Sequence, residues 1–356
     1  MKVLLLSRYS QTGASSRLRF YQYLPYLTAA GIEVTVNPCL DDQYILSLYS
    51  GQKIQKLKVL NAYLKRLKSF LKYNSYDLIW IEKELLPWLP AFAEVFLRYL
   101  GISYLVDYDD AVFHRYDQHH NPLIRAFLGR KIDKIMGNAS MVIVGNNYLA
   151  ERARAAGAKR IEYLPTVINL DHYRILQPQK KNIFTIGWIG TPVTAKYLNG
   201  IARALAEVAT KRSVRMVVVG TEKPALEGIY IEALPWSEKT EVEQISRFDV
   251  GIMPLFDDFF ERGKCGYKLI QYMACGIPGI ASPVGVNQEI VEQGYNGFLA
   301  ATHEQWVDAL ITLVDNKELA QQMGRAGRCK VEKEYCLQVT APRLVEFIHQ
   351  ASHRTP

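Results

Sequence analysis

No apolar run in this chain approaches the roughly 20 residues that a membrane-crossing helix requires. Behind Met1 and Lys2 stand only the four apolar residues Val3 to Leu6 before Ser7 and Arg8, too few for the core of a secretion signal. These absences predict a soluble, cytoplasmic chain, or one attached to a membrane from one side only. Cysteine is sparse and unpatterned: Cys39, Cys265, Cys275, Cys329 and Cys336 make no C-x-x-C pair and are odd in number. Reduced thiols packed as small hydrophobes are expected, not a disulfide framework. Acidic residues are missing from one stretch, Gly51 to Ser75, which holds Lys53, Lys56, Lys58, Lys65, Arg66, Lys68 and Lys72. Most of the net charge of +8 lies there.

Within the same stretch Ile54, Leu57, Leu60, Leu64, Leu67 and Leu71 recur every three or four residues, which predicts a helix with an apolar stripe beside a basic face. Two readings stand open. The helix either packs its stripe into a core with its lysines solvated, or rests through 52–73 on an anionic lipid surface, where each basic group adds about 1 kcal/mol. No nucleic-acid-binding module accompanies the charge, so nucleic acid is not an expected partner.

What is present is a long chain, 356 residues with 49% hydrophobic content, which predicts two domains. Apolar strand patterns alternate with amphipathic segments twice over. The first set is Lys2 to Leu6, Glu33 to Val36, Asp77 to Ile81, Tyr104 to Asp107 and Met141 to Val144. The second is Phe184 to Ile189, Arg215 to Val219, Asp249 to Pro254 and Gly279 to Ala281. This is the signature of two parallel α/β sheets, joined by the polar linker Gln177 to Asn182. The expected domains are 1–178 and 183–336, with 337–356 forming a last helix, about Val339 to His349, that returns to brace the first domain. Ligands of such sheets sit beyond the carboxyl ends of the strands, here expected in a cleft between the halves.

The segment Glu261 to Ala300 carries most chemistry: a glycine-punctuated loop, a helix through Leu269, Tyr272 and Met273 stopped by Cys275, Gly276 and Pro278, a buried strand and a second glycine turn. Free backbone amides at the helix start, with Lys264 and Lys268 close by and four apart, suit a diphosphate. A second phosphate-type turn opens the second half: Gly187 and Gly190, the hydroxyls of Thr191 and Thr194, then Lys196. Its counterpart in the first half is Ser7 to Arg19, where Gly13, Ser15 and Ser16 allow close approach and Arg17 or Arg19 could reach a phosphate. Ser15 or Ser16 as a plain helix cap is the alternative. Two acidic groups stand at strand ends. Glu82 and Glu84 either contact a ligand or close an internal salt-bridged turn, and Asp107 to His114 is the most acidic cluster.

The order Gly187-Trp-Ile-Gly190, Gly220, Asp249-Val-Gly-Ile-Met-Pro254, Tyr272-Met-Ala-Cys-Gly-Ile-Pro278 and Asn296-Gly-Phe298 resembles a family-4 glycosyltransferase of the GT-B fold. The resemblance spans nearly the whole chain and is strongest from Gly187 to Leu299. It implies two Rossmann-like domains and a retaining enzyme without metal or other cofactor. The second domain would bind a nucleotide sugar, and the first a carbohydrate or lipid-linked acceptor. The family's pair of glutamates falls here on Gly263 and Gln271, so the basic loop Arg262 to Lys268 replaces the first acid, the amides of Lys264, Cys265 and Gly266 or else Glu261 would contact the donor sugar, and Gln271 meets ribose without charge. Asp109 or Asp110 would accept or orient the acceptor's proton, assisted by His114. Asp107 and Asp109 match a D-x-D metal pattern, but a metal-free role is expected from their place in the first half. The replaced glutamates leave a second expectation open, a protein that binds nucleotide sugars without transferring them. A dinucleotide-dependent oxidoreductase is disfavoured, since neither half shows a strict G-x-G-x-x-G after its first strand.

Overall fold

The computed structural model describes residues 1–49, 56–175 and 183–352. The expected linker Gln177 to Asn182, with Lys53 and Ile54 of the basic stretch, lies outside the described residues. The chain forms two compact units, Met1–Thr166 with Gly263–Cys265 and Thr340–Pro356, and Val167–Arg262 with Gly266–Val339.

The first unit holds a six-stranded parallel sheet of β1 (Lys2–Leu6), β2 (Glu33–Val36), β3 (Leu78–Glu82), β4 (Tyr104–Tyr108), β5 (Met141–Val144) and β6 (Ile161–Tyr163), in the order β2-β1-β3-β4-β5-β6. The second unit repeats the plan with β7 (Phe184–Ile189), β8 (Val214–Val219), β9 (Ile231–Leu234), β10 (Val250–Met253), β11 (Gly279–Ala281) and β12 (Gly297–Leu299), ordered β12-β11-β10-β7-β8-β9. Every strand expected from the sequence is present, its ends displaced by no more than a single residue. The strands missed are β6, β9 and β12, all at sheet edges and partly exposed. They lack the continuous apolar run that burial on both faces imposes on β1 or β3.

Apolar side chains pack against both sheets. Phe20 packs on Trp80 of β3 with ring centroids 4.7 Å apart, and Trp188 of β7 is buried among Leu198, Leu205 and Leu310. Gly187 belongs to this packing and not to a ligand turn: a Cβ there would fall 1.9 Å from the ring of Phe248. The last helix runs from Leu337 to Ser352. Its Thr340 hydroxyl meets that of Tyr23 at 2.9 Å, and Arg343 donates to the Tyr163 carbonyl at 2.7 Å, both inside the first unit.

The basic helix, Lys56–Phe70, corrects one expectation. Its leucine stripe does not face a core, for Leu57 is 81% exposed and Leu60 and Leu64 are exposed as well. The inward face is built from Arg66 and Phe70, both buried, with Arg66 donating to the Ser7 carbonyl and the Tyr63 hydroxyl to Pro87 at 2.7 Å. One arginine able to cap a strand-end carbonyl outweighs the leucine periodicity in orienting the helix. Of the cysteines, Cys39, Cys275 and Cys336 are buried as expected and Cys329 is exposed.

Candidate functional site

The carboxyl ends of β1, β3 and β4 gather the polar groups of the first unit. Glu82 closes β3 and is buried; it accepts from the Arg8 amide at 2.6 Å and from the hydroxyls of Ser16 at 2.6 Å and Ser15 at 3.2 Å. The next residue, Lys83, has φ of 63°, a left-handed conformation that a side chain adopts only when its surroundings dictate it. That turn drives its ammonium inward, 2.7 Å from Asp109 and 3.8 Å from Asp110. Asp109 also accepts from Ser15 at 2.6 Å. Burial alone would raise the Asp109 carboxyl, but Lys83 and these hydrogen bonds overcome it and hold it below the usual carboxylate range. Asp110 goes the other way: burial and then the neighbouring charge of Asp109 raise it. Asp110 is also the more accessible of the two, its side chain 30% exposed against 11%. The two neighbouring carboxyls are thus pushed in opposite directions by their surroundings.

Other expected members are engaged elsewhere. Glu84 is enclosed by Arg8 at 3.2 Å, Lys131 at 2.5 Å and the Tyr116 hydroxyl at 2.8 Å, which is the internal salt-bridged alternative. Arg19 makes a buried two-pronged pair with Asp107, 2.9 Å at each prong. It therefore does not reach for a phosphate, and Asp107 does not face a ligand with Asp109. Gly13, which a Cβ would drive to 2.4 Å from that of Tyr9, caps the helix Ala14–Arg19 without any side-chain bond. Ser15 and Ser16 therefore serve the acids and are not caps, while Arg17 is half-buried on the same helix. His114 has both ring nitrogens engaged, by Asp117 at 2.9 Å and the Tyr148 hydroxyl at 2.8 Å.

The triplet Gly263–Cys265 groups with the first unit. Asn146 donates to the carbonyls of Gly263 at 2.9 Å and Lys264 at 3.1 Å, and the Cys265 thiol donates to that of Asp109 at 2.9 Å. Burial pushes this thiol up to about 12, so it stays protonated and acts as a donor. Gly263 is needed for contact, since a Cβ would fall 2.5 Å from that of Ala111. Lys264 lies near enough to Asp110 to act on its charge.

In the second unit the helix Tyr267–Ala274 begins behind Gly266, whose φ of 64° is left-handed, and no side chain caps it. Its leading amides carry the positive end of the helix dipole. Because the helix starts at Tyr267, Lys264 precedes it, and Lys264 and Lys268 do not share a helical face. Lys268, in the first turn, lies over the Trp188 ring at 5.6 Å. Gln271 is buried and donates to the Tyr173 hydroxyl at 3.0 Å. Arg262 pairs with Asp257 at 2.7 Å, and buried Glu261 accepts from Tyr197. At the Gly190 turn, Thr191 and Thr194 form a reciprocal cap, the Thr194 hydroxyl accepting from the Thr191 amide at 3.1 Å, and Lys196 lies over the Tyr197 ring at 5.0 Å.

Sequence reasoning missed Lys83 and Asn146. Lys83 stands between Glu82 and Glu84 at a strand end, which is itself a charge-pairing signal. Asn146 acts on residues more than a hundred positions away, which no local pattern announces.

Residues 180–316 match the model of the family described as Glycosyl transferases group 1. Over 105 residues the chain is 31% identical to a D-inositol 3-phosphate glycosyltransferase of Paenarthrobacter aurescens, covering 29% of this chain and 24% of that relative. The match thus spans about a quarter of the relative's length. Among solved structures, a sucrose-phosphate synthase from Thermosynechococcus elongatus superposes with a TM-score of 0.72 at 16% identity, covering 98% of each chain. Anabaena HepE in complex with UDP-glucose does so with 0.69 at 15%, covering 98% of this chain and 99% of that one. At such identities the likeness is one of fold, that of the GT-B glycosyltransferases.

Proposed function

We propose that this chain, whose residues 180–316 match the model of the group 1 glycosyl transferases, is a retaining, metal-independent glycosyltransferase. It moves a sugar from a nucleoside diphosphate sugar to an acceptor hydroxyl in the assembly of a surface polysaccharide or glycolipid. The observation that carries this reading is the uncapped start of the helix Tyr267–Ala274 behind left-handed Gly266, with Lys264 ahead of it and Lys268 in its first turn. As the glycosidic bond breaks, the departing diphosphate gains negative charge, and oriented amides and ammonium groups stabilise that charge without having to reorganise. HepE, of similar fold, was crystallised with UDP-glucose. On the acceptor side Asp110 takes the hydroxyl proton, and Lys83 keeps Asp109 ionised beside it.

The test is transfer and donor hydrolysis over a panel of nucleotide sugars with chelator present. Turnover that keeps the anomeric configuration is expected, together with a fall in kcat/KM of about 100-fold or more for the K264A/K268A double variant. Tight binding without turnover under any acceptor would point instead to a nucleotide-sugar-binding protein. Unchanged nucleotide affinity in the double variant would remove the phosphate assignment.

We further propose that the protein works at the inner face of the cell membrane on a lipid-linked acceptor. Support comes from the helix Lys56–Phe70, which exposes Leu57, Leu60 and Leu64 beside lysines unaccompanied by acids. No helix among the described residues is long and apolar enough to cross a membrane.

A further inference from the structure

Between Trp88 and Leu100 the first unit turns apolar side chains outward. On the helix Phe92–Tyr99, Ala93, Glu94 and Leu97 are buried, and the opposite stripe of Phe92, Val95, Phe96 and Tyr99 is exposed, Tyr99 by 86%. Trp88 and Leu89, just ahead of the helix, are exposed as well. Trp88 is held in place: its φ is 62°, its amide donates to the Tyr116 hydroxyl at 3.1 Å, and its ring meets those of Tyr116 and His119 edge-on at 5.2 Å and 5.8 Å. A left-handed backbone at a bulky residue costs free energy, so the surrounding fold imposes this placement. Clustered apolar surface of this kind marks contact with a protein or a membrane.

Charge identifies the occupant. The one acid of the segment, Glu94, is buried and accepts from the Leu85 amide at 2.8 Å, and its one cation, Arg98, donates to Asn138 at 2.9 Å. The apolar stripe itself is therefore neutral. Beside it stands the helix Lys56–Phe70, tied to the same segment by the Tyr63 hydroxyl, which donates to Pro87 at 2.7 Å. That helix holds Lys56, Lys58, Lys65 and Lys68 in solvent and contains no acid. A second copy docked through a two-fold axis would bring two such helices near each other, and like charges oppose that. An anionic bilayer satisfies both features, because its headgroups match the lysines and its interface accepts aromatic rings.

We propose that Trp88, Leu89 and the outer stripe of the helix Phe92–Tyr99 enter the lipid bilayer, while the basic helix beside them only draws the protein to an anionic surface. This inference rests on the membrane reading above and adds which residues leave water. The experiment is co-sedimentation of the full chain with phosphatidylglycerol and phosphatidylcholine vesicles at low and high salt, for wild type and the F92S/F96S double variant. Wild type is expected to keep part of its binding at high salt, and F92S/F96S to lose about 10-fold or more at either salt. Vesicles brominated on the acyl chains should quench wild-type tryptophan fluorescence, and the conservative Trp88→Phe should abolish that quenching. The signal is specific, since Trp80, Trp188 and Trp306 are buried and Trp236 belongs to the second unit. Unchanged sedimentation of F92S/F96S, or no quenching of bound wild type, overturns the inference and leaves the membrane reading standing. A wild-type dimer in lipid-free solution that F92S/F96S dissociates also overturns it and assigns the face to a second copy. Wild type that sediments with neither vesicle overturns both.

Discussion

Lysine is used in opposite ways in two regions of the first unit. At the strand ends Lys83 is buried, bent into a left-handed turn and matched to Asp109 and Asp110. On the helix Lys56–Phe70 the lysines stand among exposed leucines, in a stretch that contains no acid. A charge withdrawn from water must be neutralised within the protein, because its desolvation is too costly to leave uncompensated. A charge left in water carries no such demand: of the basic residues in this stretch, Lys56, Lys58, Lys65 and Lys68 are exposed, while Arg66 is buried on a carbonyl. The contrast separates a buried charge paired inside the fold from charges left in water.

The largest expected effect comes from breaking the inner match. Lys83→Met would leave two carboxylates facing each other without their cation, and removal of one partner from a buried pair costs about 3–5 kcal/mol. Urea denaturation of wild type and K83M measures it. The pH dependence has a definite sign. The carboxyl of Asp109 is depressed in the folded protein, so its stabilising share is present above the ordinary carboxylate range and is lost as pH falls through the depressed value. In K83M the uncompensated acids relieve one another by taking protons, so the stability gap from wild type should be widest near neutrality and should narrow on acidification. A gap independent of pH would mean that Lys83 matters for packing and not for charge.

How much of this could be read in the sequence follows the range of each interaction. Strand runs such as Lys2–Leu6 and Phe184–Ile189 are local patterns, and they were legible to within a residue. The helix through Leu269, Tyr272 and Met273 was legible as well, but its start at Tyr267 was not. The orientation of the basic helix was not legible, since it depends on Arg66 meeting a carbonyl fifty-nine positions away. The commitment of Arg19 to Asp107 spans eighty-eight positions and was equally hidden. Charged residues at strand ends can be counted in a sequence, but which of them pair inward is decided by tertiary distance.

A narrower change tests the division of labour between the paired acids. Asp110→Asn removes the accessible carboxyl and leaves the Lys83–Asp109 pair in place, so the fold should persist while transfer falls at least about 100-fold, the usual contribution of a positioned base. The wild-type rate should decline as pH falls through the raised value of Asp110, because a protonated carboxyl cannot accept the acceptor's proton. That acidic limb should be missing from the residual rate of D110N. An acidic limb kept in D110N would move the base to Asp109.

The smallest effect belongs to the outer lysines, where solvent screens each charge. Near an anionic surface one basic residue contributes roughly 1 kcal/mol, so Lys65→Gln should weaken binding to anionic vesicles about 5-fold at low salt, and less as salt rises. Leu60→Ser, which leaves the charge unchanged, should weaken it by a similar factor that salt does not alter, since the leucine acts through apolar contact. Co-sedimentation of the full chain with anionic and with zwitterionic vesicles separates the two terms. No sedimentation of wild type with anionic vesicles at low salt would show that the unmatched lysines serve only solubility, and the contrast with Lys83 would then reduce to burial alone.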